Sequence, residues 1–126
     1  MSRGLLDTSV VIAVGRGEQV ELPDESAISS VTLCELHHGV LLATDDQRPG
    51  RLATLTLVER RFRPLPVDEQ VAPHYGRIVA SARRARRRRP RVADALIAAT
   101  AAAHGLTLYT RDSDLLGLPG VEAVVA

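Results

Sequence analysis

The sequence predicts an α/β fold, namely a three-layer α/β/α sandwich built around a short central parallel sheet. Short apolar runs typical of strands alternate with longer helix-like stretches along the 126 residues. Hairpin turns are scarce and no internal repeat is present, so consecutive strands are expected to be joined through helices and to pair in parallel. Hydrophobic residues make up 45% of the chain and charged residues 25%, which is typical of a globular protein. We therefore expect residues 1–126 to form one domain.

The first half of the chain shows two strand–helix pairs followed by a third helix. The first strand is a short apolar run that ends at Asp7, and Thr8 and Ser9 then lead into a helical run. The third helix is predicted from apolar residues that recur at helical spacing. The predicted elements are a strand at residues 4–7, a helix at 10–14, a strand at 27–30, a helix at 31–43, a turn at 45–50 and a helix at 52–62.

The second half alternates in the same way. Pro64 and Pro66 lie in an extended stretch and limit its pairing, and Pro90 ends the long helix that precedes it. Gly105 stands where the next helix should stop. The predicted elements are an extended segment at residues 63–68, helices at 69–89 and 92–104, a strand at 106–109, a turn with one helical turn at 111–116 and a strand at 121–125.

The helix at residues 92–104 is apolar on nearly every face, which predicts that it lies in the core. Asp94 lies on the same side as Ile97 and Ala98, so its carboxylate points toward apolar side chains. A buried carboxylate is costly unless it meets a cation, a hydrogen-bond donor or a metal. The alternative is that Asp94 caps the amino terminus of the helix.

Several acids are predicted to meet at one edge of the sheet. Asp7 follows the first strand and Asp112 follows the strand at residues 106–109, with Asp114 two residues on. Glu35 lies early in the helix after the second strand, and Asp94 begins the apolar helix. Ligands of such sheets bind beyond the carboxyl ends of the strands. We therefore expect Asp7, Glu35, Asp94 and Asp112 to converge on one cleft.

Carboxylates packed closely repel one another unless a cation joins them. The chain contains no lysine, and its arginines are expected mostly elsewhere, so the natural partner is Mg²⁺ or Mn²⁺, which prefers oxygen ligands. Thr8, Ser9 and Thr110 lie beside the acids and supply hydroxyls that can hold a carboxylate or a water. Such a site can align a phosphodiester, generate hydroxide from water and stabilise the leaving oxygen.

Each acid also has a structural explanation. Asp7 could cap the helix that follows it, and Glu35 could complete a capping box with Thr32. Asp112 and Asp114 could be turn formers. These explanations are less convincing together, because independent caps need not share one end of a sheet.

The motifs around these acids resemble those of the PIN-domain ribonucleases, and among them the VapC toxins of bacterial toxin–antitoxin pairs. The resemblance covers nearly the whole chain. The matching segments are Leu-Leu-Asp-Thr-Ser-Val around Asp7, Ser-Val-Thr-Leu-Cys-Glu-Leu around Glu35, Asp-Ala-Leu-Ile-Ala-Ala-Thr-Ala from Asp94, and Leu-Tyr-Thr-Arg-Asp-Ser-Asp ending at Asp114. The chain departs from the family at Leu115, where the family often has Phe, so packing beneath Asp114 is expected to differ.

The resemblance implies a PIN-like fold and a metal-dependent endoribonuclease. It implies catalytic roles for Asp7, Glu35, Asp94, Asp112 and Asp114. Of these, Asp7, Asp94 and Asp112 are the expected ligands of Mg²⁺, with Mn²⁺ as a substitute, and Asp112 is favoured over Asp114 because it lies nearer the strand end. The implied partners are an RNA substrate, a cognate antitoxin protein, and a second copy of the chain in a homodimer or in a larger assembly with the antitoxin.

The basic residues are unevenly distributed. All 16 are arginines, and seven lie in a window without acids between residues 83 and 91, which leaves nine arginines against fifteen acids elsewhere. We call this window the arginine stripe, and its members are Arg83, Arg84, Arg86, Arg87, Arg88, Arg89 and Arg91. It is predicted to contact the phosphates of RNA. The alternatives are a solvated helix end and a docking site for an acidic antitoxin segment.

Together these features predict the toxin component of a type II toxin–antitoxin pair, which hydrolyses phosphodiester bonds in structured RNA. The alternative is a PIN-like module that binds RNA or protein without catalysis. Cys34 is the single cysteine, which excludes an internal disulfide, and no run of residues looks like a signal peptide or a membrane span. We therefore expect a cytoplasmic protein without a membrane partner.

Overall fold

The computed structural model describes residues 1–126 and contains four strands, five α-helices and one short 3₁₀ turn. The order of these elements matches the one predicted from the sequence. They are β1 (Arg3–Leu6), α1 (Thr8–Gly15), β2 (Glu25–Ile28), α2 (Ser30–Leu42), α3 (Arg48–Arg61), α4 (Ala72–Arg84), α5 (Val92–Ala103), β3 (Thr107–Thr110), the 3₁₀ turn (Ser113–Leu115) and β4 (Ala123–Val125).

The four strands form one parallel sheet in the order β2-β1-β3-β4. In the centre of the sheet Leu6 of β1 pairs with Tyr109 of β3. The backbone N–H of Asp7 continues this ladder and donates to the carbonyl of Tyr109 at 3.0 Å. The residues that follow β1 and β3 therefore emerge side by side at the carboxyl edge of the sheet.

Helices cover both faces of the sheet, as the predicted three-layer sandwich requires. Successive side chains of a strand point to opposite faces. Leu5 accordingly packs in a core cluster with Ile78 of α4 and Ile97 of α5. Leu6 packs in a second cluster with residues of α1, α2 and α3, among them Val10. The α/β/α prediction is confirmed.

The helix predicted at residues 69–89 is shorter than expected. Helix α4 ends at Arg84, and Arg86 adopts a left-handed conformation with φ of 56°. The N–H of Arg87 then returns to the carbonyl of Ala82 at 2.9 Å, which closes the helix end. The arginine stripe therefore lies partly on the last turn of α4 and partly on the segment that connects α4 to α5.

Two further segments show how proline shapes the chain. Helix α3 begins at Arg48, inside the predicted turn at 45–50, because Pro49 occupies its first turn, where no backbone donor is needed. The stretch at residues 63–68 is extended and makes a single parallel bridge, between Leu65 and Ser29. Its limited pairing was expected from Pro64 and Pro66, which cannot donate backbone hydrogen bonds.

The end of α5 follows the prediction. Gly105 has a positive φ of 64°, a conformation that glycine adopts without steric cost, and the chain turns there into β3. None of the helices combines the length and the apolar character that crossing a membrane would require.

Candidate active site

Asp7 is the most enclosed of the predicted acids, with 3% of its surface exposed. Its Oδ1 accepts hydrogen bonds from the backbone N–H of Val10 at 3.1 Å and from the hydroxyl of Ser9 at 2.6 Å. Its Oδ2 accepts a hydrogen bond from the hydroxyl of Thr110. Asp7 is thus the amino-terminal cap of α1, as its structural explanation requires, and it is also held by a side chain from β3.

The loop after β3 is tied to Asp7 through Thr110. The Thr110 hydroxyl that donates to Asp7 accepts a hydrogen bond from the backbone N–H of Asp112 at 2.9 Å. The N–H of Arg111 donates to the hydroxyl of Ser9 at 3.2 Å. Two hydroxyls expected to support the acids, those of Ser9 and Thr110, therefore connect the end of β1 to the end of β3.

Asp112 and Asp114 lie in different environments. Asp112 is half-buried and caps the 3₁₀ turn, where its Oδ1 accepts from the backbone N–H of Asp114 at 2.9 Å. Asp114 is exposed, and it is linked to Asp112 through its backbone N–H. The structure therefore places Asp112 next to the Asp7 network, whereas the side chain of Asp114 extends toward solvent.

Glu35 is positioned by a residue of α1. The hydroxyl of Thr8 donates to Oε1 of Glu35 at 2.6 Å and lies 3.1 Å from the hydroxyl of Thr32. The capping box suggested for Thr32 and Glu35 is wrong, because the cap of α2 is Ser29, whose hydroxyl accepts from the N–H of Val31. This contact ties Glu35 to the first residue of α1, which directly follows Asp7.

Asp94 does not cap α5. The cap position is held by Arg91, without any side-chain hydrogen bond to the helix backbone, and Asp94 is the third helical residue. Its side chain is 14% exposed and meets a cation: Nε of Arg91 lies 3.1 Å from Oδ2, and Nη2 of Arg91 lies 3.3 Å from Oδ1. The carboxylate on the apolar helix is therefore compensated by an ion pair.

Arg91 contacts two of the acids, Asp94 and Glu35. Besides its two bonds to Asp94, its Nη2 lies 3.8 Å from Oε2 of Glu35. The hydrogen bonds to Asp94 and the charge of that carboxylate raise the pKa of Arg91 above its usual value; partial burial opposes this, and the charges of Glu35 and Asp112 add to it. The expectation that the arginines lie away from the acids is wrong for Arg91.

The structure thus brings four of the five predicted acids together at the carboxyl edge of the sheet. The Thr110 hydroxyl contacts the carboxylate of Asp7 and the backbone N–H of Asp112, and Arg91 contacts the carboxylates of Glu35 and Asp94. Glu35 also lies in the wall of a cleft of about 550 Å³ between α1, α2 and α3. We call Asp7, Glu35, Asp94 and Asp112 the acid cluster, and Glu35 is its member that lines this cleft.

Comparison with known proteins places this arrangement in a family. The family model of the PIN domain matches residues 4–120. The chain belongs to the PIN-domain family. It is 38% identical to ribonuclease VapC4 of Mycobacterium tuberculosis, over 97% of this chain and 95% of that protein. It is 42% identical to ribonuclease VapC5 of the same organism, over 96% and 91% of the two chains. The resemblance to VapC proteins inferred from the four motifs is confirmed.

Solved structures of PIN-domain proteins share the fold over nearly the full length. The crystal structure of VapBC-5 from M. tuberculosis superposes with a TM-score of 0.85 at 39% identity, covering 99% of this chain and 98% of the other. DNA-bound VapBC from Salmonella typhimurium superposes with a TM-score of 0.81 at 26% identity, covering 99% and 98%. Leu115, which stands where the family often has Phe, is fully buried in the larger core cluster.

PIN ribonucleases are generally dependent on divalent metal ions, so the fit of these residues to such an ion matters. All four acids of the cluster offer carboxylate oxygens, the donors that Mg²⁺ and Mn²⁺ prefer. Arg91 shows that Asp94 and Glu35 lie close enough to share one cation. No three carboxylate, imidazole or thiolate side chains already form a ready coordination group. The oxygen donors thus suit such an ion, and in this structure Asp94 and Glu35 are paired with Arg91 instead.

The arginine stripe is divided between structural and exposed residues. Arg87 donates to the carbonyl of Gly117, and also to the carbonyls of Asp114 and Leu116 at 3.2 Å each. Arg91 is held by the acids, as described above. The remaining members are exposed side chains on and after the last turn of α4: Arg83, Arg84, Arg86, Arg88 and Arg89.

Two participants in the site are missed by reasoning from the sequence. The charge pattern groups Arg91 with the stripe, although its position three residues before Asp94 is the spacing at which helical side chains pair. The capping pattern gives Thr32 only a role as a cap, although it precedes Glu35 by one helical turn and its hydroxyl faces Thr8. The contact of Arg91 with Asp94 could have been found from the three-residue spacing in the sequence. The contact of Thr32 with Thr8 depends on how α1 packs against α2, which no local sequence pattern reveals.

Proposed function

We propose that this protein is a divalent-metal-dependent endoribonuclease that acts as the toxin of a toxin–antitoxin pair. The observation that carries the proposal is the meeting of Asp7, Glu35, Asp94 and Asp112 at one edge of the sheet, from four separate segments of the chain. Two relatives at 38% and 42% identity are named ribonucleases, and a third, from Neisseria gonorrhoeae, is named toxin FitB at 33% identity. These names support the activity and the role.

In this proposal Asp7, Asp94 and Asp112 hold Mg²⁺ or Mn²⁺, Glu35 completes the acidic site, and Asp114 assists from the solvent side. When bound, the ion supplies positive charge to the phosphodiester and lowers the pKa of water. Thr110 and Ser9 keep the Asp7 carboxylate in one orientation, and Thr8 does the same for Glu35. These hydroxyls reduce the reorganisation needed before the reaction.

The reaction we propose is hydrolysis of the RNA backbone. A water oxygen bonds to phosphorus while the bond from phosphorus to the 3′ oxygen breaks, and the departing oxygen takes up a proton. The products are a 5′-phosphate and a 3′-hydroxyl. A cyclic 2′,3′-phosphate would instead require attack by the hydroxyl of the RNA itself.

The exposed arginines of the stripe are the proposed contact to structured RNA. They present no nearby carboxylate within the chain, and guanidinium groups pair well with phosphates. Aromatic residues make up 2% of the chain, so we expect recognition through the backbone and shape of the RNA more than through base stacking.

We further propose an antitoxin partner and self-association. A similar solved structure is described as a member of the VapBC family of toxin–antitoxin systems, which supports a cognate antitoxin for this chain. A homodimer, or a larger assembly with the antitoxin, is part of the proposal. Residues 1–126 would act as one PIN domain. The exposed, unpaired thiol of Cys34 is suited to a reducing compartment such as the cytoplasm.

The test compares purified wild type with Asp7→Asn and Asp94→Asn on structured RNA in Mg²⁺ or Mn²⁺. Both substitutions retain size but remove a charged ligand, so cleavage should disappear while the circular dichroism spectrum persists. Glu69→Gln, which removes an exposed acid before α4, is the matched control and should cleave like wild type. Full cleavage by Asp94→Asn, or cyclic phosphate ends, would contradict the proposal. RNA binding by wild type without cleavage would favour a non-catalytic module.

A further inference from the structure

Arg91 places a permanent positive charge among the acids of the proposed active site. Its Nε and Nη2 approach the two oxygens of Asp94 at 3.1 and 3.3 Å, and its Nη2 lies 3.8 Å from Glu35. The planar guanidinium fork matches a carboxylate in this two-point geometry. One cation therefore already pairs with Asp94, a proposed metal ligand, and lies close to Glu35 beside it.

The two sides of this ion pair differ in their exposure. The Arg91 side chain is 73% exposed, whereas the Asp94 side chain is 14% exposed. Arg91 can therefore swing into water and remain hydrated, while Asp94 stays among apolar neighbours and still needs a cation. Ion pairs with one well-exposed partner are weak, so a divalent ion can displace the guanidinium.

Arg87, a nearby member of the arginine stripe, is held by different partners from those of Arg91. Arg87 comes from the same stripe but donates to three backbone carbonyls in and after the 3₁₀ turn, which fixes it as a structural arginine. Arg91 makes no such backbone contact, although it holds the cap position of α5. Its partners are carboxylates of the acid cluster.

We propose that Arg91 is an internal counter-ion of the active site, which pairs with Asp94 and Glu35 and competes with the divalent cation for Asp94. This inference rests on the proposed function, because it takes the acid cluster to be the cation site. It gives Arg91 a role in setting the affinity for the metal ion, whereas the sequence alone groups Arg91 with the arginines predicted to contact RNA. The chain itself thus balances part of the negative charge of the acid cluster before the ion binds.

The test measures Mn²⁺ affinity directly, by isothermal titration and by electron paramagnetic resonance of free Mn²⁺, without RNA. Arg91→Gln should tighten the dissociation constant by at least about fivefold, which is about 1 kcal/mol at 1.4 kcal/mol per tenfold change. Arg91→Lys, which retains the charge but loses the fork, should lie between wild type and Arg91→Gln. Arg89→Gln, an exposed member of the same stripe, is the matched control and should bind Mn²⁺ like wild type.

Thermal melting in a chelator gives a second measurement. Arg91→Gln should melt below wild type, because Asp94 and Glu35 lose their counter-ion, and Mn²⁺ should raise its melting temperature by more than that of wild type. An unchanged or weaker Mn²⁺ affinity in Arg91→Gln would overturn the inference, as would an equal gain in Arg89→Gln. If wild type binds Mn²⁺ and Asp94→Asn does not, the metal site is supported, even if Arg91→Gln shows that Arg91 does not compete with the ion. If none of these proteins binds Mn²⁺, both are overturned.

Discussion

The hydroxyl of Thr110 donates a hydrogen bond to Oδ2 of Asp7, and so joins the ends of two neighbouring strands that are 103 residues apart in the chain. The same hydroxyl accepts a hydrogen bond from the N–H of Asp112. Because β1 and β3 are adjacent and parallel, the residue after one strand meets the last residue of the other. Thr110 thereby orients Asp7 and holds the loop that carries Asp112, and both acids are predicted metal ligands.

Replacing Thr110 with valine should therefore impair both stability and cleavage. Valine retains the shape but leaves the buried Oδ2 of Asp7 without its donor, which should lower the free energy of unfolding by about 1–3 kcal/mol. The rate of RNA cleavage should also fall, because Asp7 loses its fixed orientation. Urea unfolding and a cleavage assay measure the two effects. Thr107→Val, on the same strand, is the control, and equal behaviour of the two variants would refute the role of Thr110.

Thr8 and Glu35 should be energetically coupled. The Thr8 hydroxyl donates to Glu35 at 2.6 Å, and Glu35 is 27% exposed, so the pair is partly shielded from water. A double-mutant cycle with Thr8→Val and Glu35→Ala should give a coupling free energy of unfolding of about 1 kcal/mol. Simple additivity of the two substitutions would show that this hydrogen bond does not contribute.

Arg87 should stabilise the segment that follows the 3₁₀ turn. Arg87→Gln removes a donor that bonds to the carbonyls of Asp114, Leu116 and Gly117, so we expect a loss of about 1–2 kcal/mol in unfolding free energy. Amide hydrogen exchange at residues 115–118 should become faster. Arg88→Gln changes the same charge on an exposed neighbour and should leave both measurements unchanged. An unaltered rate of amide hydrogen exchange in Arg87→Gln would show that these hydrogen bonds do not stabilise the segment.

RNA affinity should depend on the exposed arginines and on salt. In a chelator, which prevents cleavage, the double variant Arg88→Gln/Arg89→Gln should bind structured RNA more weakly. The slope of log affinity against log salt should fall by about one for each arginine–phosphate ion pair that the substitutions remove. Arg60→Gln/Arg61→Gln, which removes two exposed arginines of α3, is the control for net charge. An equal weakening of RNA binding in the two double variants would indicate a nonspecific effect of charge.

The amino terminus should loosen in acid. The backbone N–H and the hydroxyl of Ser2 donate to Asp24 at 2.8 and 2.9 Å, and these bonds lower the pKa of Asp24 below its usual value of 3.8. A folded-state pKa below the unfolded value stabilises the fold above the unfolded pKa, and this contribution is lost as pH falls through the folded pKa. Nuclear magnetic resonance titration of Asp24 should show the depressed pKa. Asp24→Asn should remove this part of the pH dependence of unfolding, and an Asp24 titration at the usual pKa would contradict the contact.

The order of the elements, and the edge of the sheet at which the acids lie, could be predicted because both depend on local sequence patterns. The period of apolar residues distinguishes strands from helices, and acids that follow parallel strands must share an edge. The end of α4 could not be predicted in this way. Residues 83–89 are good helix formers up to Pro90, yet the chain turns at Arg86, and Arg87 bonds to carbonyls in and after the 3₁₀ turn. That contact is available only in the folded protein.

By itself, the amino-acid sequence determined the α/β architecture, the four acidic motifs and the PIN-domain relationship, since each depends on residue types at short spacing. The tertiary structure alone decided which side chains neutralise and orient those acids. Thr110 reaches Asp7, Thr8 reaches Glu35, and Arg91 reaches both Glu35 and Asp94. Except for the pair of Arg91 with Asp94, these partners are distant in the chain. They meet because the sheet sets neighbouring strand ends side by side and the helices pack over them, and this proximity fixes the charge balance of the site.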